Sequence, residues 1–531
     1  QKNKYKGFIL GRLYRKSNKL SELVQNLTYM EIDNIMKSEG QYLSKHYRGQ
    51  YLVLIQDIER KKTIIFPDLQ GFTSLFYKKT EEELIFSSDV WCIKDLVHND
   101  SFLDNDFLKA QLICDMGSHV ASSYTPFSSI HDVEHGYALI IESTDCKIKN
   151  FWNPFSIYRK SNCDLENIIP VFFEVIEAYC INSPNICLEL SGGLDSASLM
   201  LALNYLNKDS SRKILPITFF NENVSSSDER NEAKSVSDFC QTKLYYQNWK
   251  KPWFLEQINN KYHRLDRPHT KIFSKQVIDE QEEMLLKYGD MVTWSGHGGD
   301  HLFFQDVTTN SIADYWIDMK FKGLFRQINT YSSLERISYY HIFKDTLKAL
   351  FNYYFGCVQR PINKKVIEKY FLSKFIDNSK YFKPGKFDHI MAILVGSNQY
   401  KIFNKIRKTP VLYPFLSQPI IEQILSMESY QAYSSEYSRI IFREKISKFF
   451  QTDLVYRKSK GDTTGILQIG LEQNIKRVYE LCLEGYFARK QMINKSILEN
   501  EINKVRSGLT NSFNGIFNMI AIEHWVESWS L

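Results

Sequence analysis

The chain has no long apolar run, no paired cysteines and no strong excess of charge. No apolar stretch approaches the roughly 18 residues that cross a bilayer, so we predict no membrane span. The nine cysteines are scattered without a CxxC pair, which disfavours structural zinc and disulfides and favours a reducing cytoplasm. A net charge of +6, from 67 basic and 61 acidic residues, is too small for a polybasic nucleic-acid binder. We therefore expect a cytoplasmic protein without a nucleic-acid partner.

The organisation of the chain changes near residue 159. Residues 51–56, 63–66, 75–77, 84–86 and 137–141 are short β-rich segments separated by turns. The composition then becomes polar at 159–164. We therefore predict two domains, which comprise residues 1–158 and 159–531.

The second half alternates between strand and helix patterns. A helical stretch over 165–180 precedes a buried-type strand at 186–190, an apolar helix at 197–206 and another strand at 214–220. This alternation predicts an α/β fold with a parallel sheet. From Ile312 onward, apolar residues at three- and four-residue spacing predict a mostly helical part.

The string LSGGLDS at residues 190–196 lies directly between a predicted strand and a predicted helix. Its glycine pair allows a tight turn with inward-pointing N–H groups, and the helix adds a positive N-terminal end. Ser196 offers a hydroxyl to a phosphate oxygen, while Asp195 can hold a Mg²⁺ ion that binds phosphate. The spacing differs from the GxxxxGK[ST] loop. The alternative is an ordinary strand-to-helix turn.

A second glycine-rich turn follows another apolar stretch, in the string VTWSGHGGDHLF at residues 292–303. Because ligands of open parallel sheets gather at the carboxyl ends of strands, we expect Asp300 to meet Asp195 and share the metal. The alternative is a tight loop with an exposed aspartate. An imidazole ordinarily titrates near neutrality, so His297 is our candidate to accept a proton from an attacking amine. Its alternative role is a hydrogen bond within the turn.

These motifs resemble the asparagine synthetase B and β-lactam synthetase superfamily. SGGLDS is identical to the pyrophosphatase-loop (PP-loop) signature of enzymes that cleave ATP to AMP and pyrophosphate. GHGGDH is similar to the SGEGADE-type motif, with His297 and His301 replacing two acidic residues, and looks most like lasso-peptide cyclases. Further similar segments are RGQY at 48–51, DLQG at 68–71, FSSD at 86–89, WNP at 152–154, YPFLS at 413–417 and YRKSKG at 456–461.

One departure from the superfamily bears on the source of the amine. Gly7 to Gly11 resemble the strand that follows the N-terminal nucleophilic cysteine of glutamine-hydrolysing members, yet Lys6 precedes this strand. Lys6 has no thiol, so we predict that the amidotransferase-like domain is inactive. The amine would then come from the substrate, as the resemblance to lasso cyclases implies.

The resemblance implies a specific fold and reaction. We expect an N-terminal Ntn-hydrolase-like αββα domain, followed by a PP-loop ATP pyrophosphatase domain with a helical C-terminal part. The enzyme would use ATP and Mg²⁺ to adenylate an Asp or Glu side chain of a core peptide and join it to the peptide's N-terminal amine. Its partners would be the precursor peptide, a leader peptidase and a leader-recognition protein. The alternative is an amide ligase that acts on a small-molecule carboxylate.

The predicted site residues fall into three groups. The metal ligands are Asp195 and Asp300. The catalytic residues are His297, Asp300 and Lys460, with Lys458 as the alternative because the register of the RxK segment is ambiguous. A solvated basic turn is the competing interpretation of that segment. The nucleotide-binding residues are Leu190, Ser191, Gly192, Gly193, Leu194, Asp195, Ser196, Phe219, Ser295 and Gly296. Asp228 and Glu229 are expected to cap the next helix rather than to act in catalysis.

Overall fold

The computed structural model describes most of the chain. The described residues are 4–16, 22–94, 103–113, 123–143, 145–160, 165–181, 183, 185–207, 212–248, 255, 265–355, 382–409, 411–457, 461, 464–509 and 513–529.

Fourteen strands are found in these residues. They are β1 (Tyr5–Arg15), β2 (Glu22–Leu23), β3 (Tyr47–Asp57), β4 (Lys62–Pro67), β5 (Phe76–Lys79), β6 (Leu84–Ser87), β7 (His131–Asp132), β8 (Tyr137–Glu142), β9 (Asp145–Asn150), β10 (Asn185–Glu189), β11 (Lys213–Phe220), β12 (Tyr245–Asn248), β13 (Val292–Ser295) and β14 (Val411–Leu412).

The α-helices of the described residues contain between 4 and 22 residues. They are α1 (Tyr29–Ser38), α2 (Gln41–His46), α3 (Val90–Lys94), α4 (Asn105–Ile113), α5 (Pro154–Lys160), α6 (Ile168–Ile181), α7 (Leu194–Leu206), α8 (Arg230–Phe239), α9 (Lys275–Leu286), α10 (Gly299–Leu302), α11 (Asn310–Ile317), α12 (Leu324–Glu335), α13 (Tyr339–Tyr354), α14 (Pro384–Lys405), α15 (Gln418–Ile424), α16 (Ile440–Phe450), α17 (Thr464–Gln473), α18 (Ile475–Glu484), α19 (Tyr486–Arg489), α20 (Lys495–Arg506) and α21 (Phe513–Trp529).

The strands form three sheets. The first is antiparallel, has six strands in the order β2-β1-β3-β4-β8-β9, and is accompanied by a three-stranded sheet in the order β6-β5-β7. The third sheet has five strands in the order β12-β11-β10-β13-β14, and its neighbouring strands are parallel. The sheet predicted from the strand–helix alternation is therefore confirmed.

Local sequence explains the elements that surround the third sheet. Helix α7 is apolar on every side, and nine of its residues are buried, which is typical of a core helix. Strand β10 places Ile186, Cys187 and Leu188 in the interior, but it ends in the charged residue Glu189. The largest apolar cluster contains side chains of both larger sheets, such as Leu139 and Leu188, so one continuous core supports the site.

The predicted elements agree with the structure in most places. The five short segments expected before residue 150 overlap β3, β4, β5, β6 and β8. Among the residues described after Ile312, all named elements are helices except β14. The predicted domain boundary falls between β9 and β10 and stays a prediction. Within the described ranges, no helix combines the length and apolar character needed to cross a membrane.

Candidate functional site

The turn at residues 190–196 has the predicted strand–turn–helix geometry. It follows β10 and leads into α7, with Gly193 at the N-cap position. The Ser196 hydroxyl closes the turn, because Oγ lies 3.2 Å from the Ser191 backbone N and 3.1 Å from Ser191 Oγ. Leu190 and Leu194 are buried beneath it. The turn thus combines a tightly folded backbone with a helix N-terminus, and both features favour the binding of an anion.

Gly192 fits this turn because it has no side chain. Its φ is +73°, and a Cβ atom there would lie 2.5 Å from the Glu232 carbonyl carbon and 2.6 Å from the Ala233 backbone N of α8. Both contacts are to backbone, so they cannot be relieved by a side-chain rotation. Gly192 therefore allows α8 to pack directly against the turn.

Replacing Gly192 by alanine is expected to destabilise the protein by about 2 kcal/mol more than replacing Gly289, because overpacking against α8 adds to the left-handed strain that both variants share. Gly289 is the matched control, since its φ is +85° and nothing lies within 4 Å of its Cβ position. Urea unfolding of the two variants measures the difference. Equal midpoints would contradict the close packing of the turn.

The loop after β13 contacts the first turn directly. Strands β10 and β13 are neighbours, with Glu189 opposite Ser295. A Cβ atom on Gly296 would lie 2.7 Å from the Ser196 backbone N, and one on Gly299 would lie 2.3 Å from Asp195 Oδ1. The two glycine-rich loops therefore meet at the carboxyl ends of adjacent strands, which is where an open parallel sheet binds its ligands.

Asp195 forms an ion pair that sequence analysis did not predict. Arg439 Nη1 lies 2.9 Å from Oδ1 and 2.6 Å from Oδ2 of Asp195, and the arginine side chain is buried. Asp300 Oδ1 accepts a hydrogen bond from the His301 backbone N. Burial and the charges of Asp300 and Asp195 raise the pKa of the Tyr400 hydroxyl well above its ordinary value.

The donor set of these loops suits Mg²⁺ bound together with phosphates. Such an ion needs only one or two protein carboxylates, since phosphate oxygens and water supply the rest. In the described part of the chain no group of three or more His, Cys, Asp or Glu residues could hold a metal alone. Asp195 and Asp300 therefore fit a shared nucleotide metal, and this assignment stays a proposal.

His297 lies at the surface of the second loop, and its side chain is 48% exposed. Its Nδ1 lies 2.6 Å from Ser295 Oγ and 3.9 Å from Glu189 Oε2. The histidine ring packs against Tyr400, with ring centroids 5.1 Å apart. The hydrogen bond within the turn, which was the alternative role of His297, is therefore present, and the exposed ring is also accessible to a substrate.

Glu189 is the acidic partner in this cluster. Arg407 Nη2 lies 3.0 Å and Gln281 Nε2 lies 3.1 Å from its Oε1. Burial alone would raise the pKa of Glu189, but Arg407, His297 and hydrogen bonds from Ser295 and Gln281 hold it below the usual value. Glu189 is therefore a partly buried carboxylate in its charged form.

The segment predicted to carry the catalytic lysine is anchored at both ends. Lys458 and Lys460 lie outside the described residues. On one side, Arg457 Nη1 donates to the Ser191 carbonyl at 3.1 Å and pairs with Glu229 Oε1 at 2.8 Å. On the other side, the Gly461 backbone N donates to the same Glu229 oxygen at 3.0 Å. Both ends of the segment therefore lie near the phosphate-type turn.

The expected helix cap at Asp228 and Glu229 is only half right. Asp228 Oδ1 accepts a hydrogen bond from the Arg230 backbone N at the start of α8. Glu229 occupies the N-cap position, but its side chain makes no cap hydrogen bond and instead holds Arg457 and Gly461. A long glutamate reaches away from its own helix more easily than a short aspartate.

Two further predicted site residues, Phe219 and Ser295, lie near the ends of strands in the five-stranded sheet. Phe219 is partly buried near the end of β11 and packs against a small apolar cluster that includes Cys187 and Ile217. Ser295 is buried, as the last residue of β13. Lys6 is an exposed residue of β1, far along the chain from these strands. The nucleotide-binding roles of Phe219 and Ser295 stay predictions.

Sequence analysis missed Glu189, Arg407 and Tyr400. Glu189 left a detectable signal, because it is the one charged residue in the apolar strand that enters the phosphate-type turn. Arg407 and Tyr400 left none, since they lie in and just after α14, more than 200 residues further along the chain.

Comparison with known proteins gives one domain match and two relatives. Residues 32–152 match the glutamine amidotransferase domain. The chain is 22% identical over 438 residues to the Microcin J25-processing protein McjC of Escherichia coli, which covers 82% of this chain and 77% of McjC. It is also 22% identical over 246 residues to the glutamine-hydrolyzing asparagine synthetase 3 of Bacillus subtilis (strain 168), which covers 45% of this chain and 37% of that protein.

These similarities confirm the resemblance predicted from the motifs, to lasso-peptide cyclases and to the asparagine synthetase superfamily. They support a mixed α/β protein with an N-terminal amidotransferase-like domain. They also support an enzyme of the asparagine synthetase-like amide ligase type.

Proposed function

We propose that the chain is an ATP-dependent, AMP-forming macrolactam synthetase of lasso-peptide biosynthesis. It would activate an Asp or Glu side chain of a core peptide and join it to the N-terminal amine of the same peptide. The observation that carries the proposal is the contact between the two glycine-rich loops, since a Cβ on Gly299 would lie 2.3 Å from Asp195 Oδ1. The similarity to McjC supports a peptide substrate.

In this proposal the turn at 190–196 receives the phosphates. The backbone N–H groups at the start of α7 point toward an anion, and the helix N-terminus adds its positive end. Ser196 holds the turn closed through Ser191, so the donors are in position before the nucleotide binds. Ser295, Gly296 and Phe219 contribute the neighbouring wall.

Asp195 and Asp300 would hold Mg²⁺, which when bound neutralises the charge of the phosphates and of the leaving pyrophosphate. The buried Arg439 would fix the orientation of the Asp195 carboxylate, since it lies within hydrogen-bond distance of both oxygens. Lys460 would supply a cation that stabilises the developing negative oxygen. This proposal is supported by the contacts of the flanking residues, since Arg457 donates to the Ser191 carbonyl and the Gly461 backbone N donates to Glu229.

His297 would accept the proton of the attacking amine. Its exposure leaves the ring accessible to a substrate, and its neighbours hold it in one orientation. Because the amine and the activated carboxylate belong to one peptide, ring closure is effectively unimolecular, which supplies several kcal/mol of barrier lowering.

The proposal extends to architecture and partners. Residues 1–158 would form an Ntn-hydrolase-like domain without its nucleophile, and residues 159–531 a PP-loop domain that carries the site. A leader peptidase would release the new N-terminal amine, and a leader-recognition protein would deliver the precursor peptide. The reaction would take place in the cytoplasm, where ATP is available.

The purified protein, incubated with Mg-ATP and a positional library of linear peptides, tests this function. Each peptide has a free N-terminal amine and a single Asp or Glu. We expect AMP and pyrophosphate to form in equal amounts, together with a peptide product lighter by one water. Omission of either ATP or the acidic residue is expected to abolish the product.

An amide ligase that acts on a small-molecule carboxylate is the second candidate, because the chain is similar to an asparagine synthetase over 246 residues. The same assay with free aspartate and ammonia distinguishes the two. Formation of AMP with aspartate and ammonia, but with none of the peptides, would favour the second candidate and refute the first.

A further inference from the structure

We propose that Glu189 and Ser295 are positioning residues that fix His297 in the tautomer with hydrogen on Nδ1, so that Nε2 accepts the proton of the attacking amine. This inference rests on the proposed function. Glu189 is the last residue of β10, and Ser295 is the last residue of β13. Because these strands pair in register, the two side chains meet beneath the exposed histidine.

The three side chains form a line from the interior to the surface. The Glu189 side chain is 15% exposed, Ser295 is 1% exposed and the His297 side chain is 48% exposed. Ser295 Oγ lies 2.6 Å and Glu189 Oε2 lies 3.9 Å from His297 Nδ1, so both groups face the same ring nitrogen. The negative carboxylate beside Nδ1 favours the tautomer with hydrogen on Nδ1, and this N–H then donates to Ser295 Oγ.

The surroundings of Glu189 determine which oxygen faces the histidine. Arg407 and Gln281 both donate to Oε1, so Oε2 is the oxygen on the side of His297, 3.9 Å from Nδ1. The Arg407 guanidinium in turn lies over the Phe403 ring, which limits its movement. The carboxylate is therefore held in place before any substrate binds.

The charges around His297 favour this arrangement. Glu189 approaches it from β10, while Tyr400 packs against the ring from α14. Asp300 and Asp195 are close enough to Tyr400 to influence its hydroxyl, and Arg407 is neutralised by Glu189. A protonated imidazole is thus stabilised by a carboxylate on its Nδ1 side, which favours proton transfer to Nε2.

The bond changes of the closing step are balanced. The amine nitrogen forms a bond to the acyl carbon, and the bond from that carbon to the phosphate oxygen breaks. AMP leaves with this electron pair, and one amine proton passes to His297 Nε2. Glu189 and Ser295 stay unchanged, since they act through the ring and do not contact the reacting atoms.

Two reactions of the same acyl-adenylate test the assignment. Hydroxylamine is unprotonated at neutral pH, so it traps the adenylate as a hydroxamate without a general base. Closure by the peptide amine needs the base. Glu189→Gln is expected to lower the rate of ring closure about 10²-fold, while hydroxamate formation and ATP–pyrophosphate exchange change less than about threefold. Glu189→Asp is expected to recover part of the loss.

Ser295→Ala is a second variant, which removes the hydroxyl and leaves the carboxylate in place. Because Ser295 also borders the proposed nucleotide site, the readout is the ratio of ring closure to hydroxamate formation, and this ratio is expected to fall. Glu282→Gln is the matched control, because Glu282 is a buried neighbour on α9 that accepts backbone hydrogen bonds from Lys408 and Thr409. Both reactions of this control are expected to stay within about threefold of the unmodified protein.

The outcomes are distinct. A parallel fall of ring closure and hydroxamate formation in Glu189→Gln and Ser295→Ala would assign these residues a structural role only and overturn the inference. Unchanged closure in both variants would also overturn it. If the unmodified protein forms neither hydroxamate nor exchange product, the proposed function itself fails, and this result cannot be confused with a positioning defect.

Discussion

Replacing Asp195 by alanine is expected to abolish pyrophosphate release and lower amide formation by at least about 10³-fold. The variant removes a carboxylate of the proposed metal site, and metal stabilisation of transferring phosphates contributes several kcal/mol. It also leaves the buried Arg439 without its ion-pair partner. ATP–pyrophosphate exchange with the peptide library is the direct measurement.

Loss of stability must be separated from loss of chemistry in this experiment. Asp195→Asn keeps the shape of the side chain and one acceptor for Arg439, so it is expected to fold and still lack exchange. Asp238→Ala is the control, because Asp238 is exposed on α8 and pairs only with the surface residue Lys234 in the contacts described. Retained exchange in a folded Asp195→Ala protein would refute the metal assignment.

Lys460→Ala is expected to lower the rate of adenylate formation about 10³-fold, while Lys458→Ala changes it less than about fivefold. The physical reason is the loss of a cation beside the charge that develops at the phosphate and acyl oxygens. The segment that carries both lysines is attached to Glu229 at either end, through Arg457 and Gly461. Comparison of the two variants therefore shows which of the two lysines acts in the reaction.

Single-turnover AMP formation measures this effect, with Lys448→Ala as the control. Lys448 is an exposed lysine of α16, the helix that precedes the segment. A larger effect of Lys458→Ala than of Lys460→Ala would identify Lys458 as the catalytic lysine instead. Rates near that of the control in both variants would exclude the segment from the reaction.

The predictions made from sequence succeeded where the signal is local. The glycine pair of the first turn, the apolar strand before it and the apolar helix after it are consecutive in the chain. Backbone conformation follows from such neighbours, since glycine allows a positive φ and an all-round apolar helix must be buried. The same reasoning identified the second glycine-rich loop and the parallel sheet.

The partners of these residues escaped prediction because they come from distant parts of the chain. Arg439 lies 244 residues beyond Asp195, and Arg407 lies 218 residues beyond Glu189. No local pattern records which strand will be the neighbour of another. The order β12-β11-β10-β13-β14 alone places Glu189 beside Ser295.

The amino-acid sequence by itself determined two glycine-rich loops, the helices and strands around them and the family that they resemble, because these depend on neighbouring residues. Only the tertiary structure decided that Asp195 contacts Arg439, that Glu229 binds the two ends of a later segment and that a partly buried carboxylate lies near His297. These contacts depend on strand order and on close packing between loops. The distance between two residues on different strands depends on how the whole chain folds, so a local stretch of sequence does not determine it.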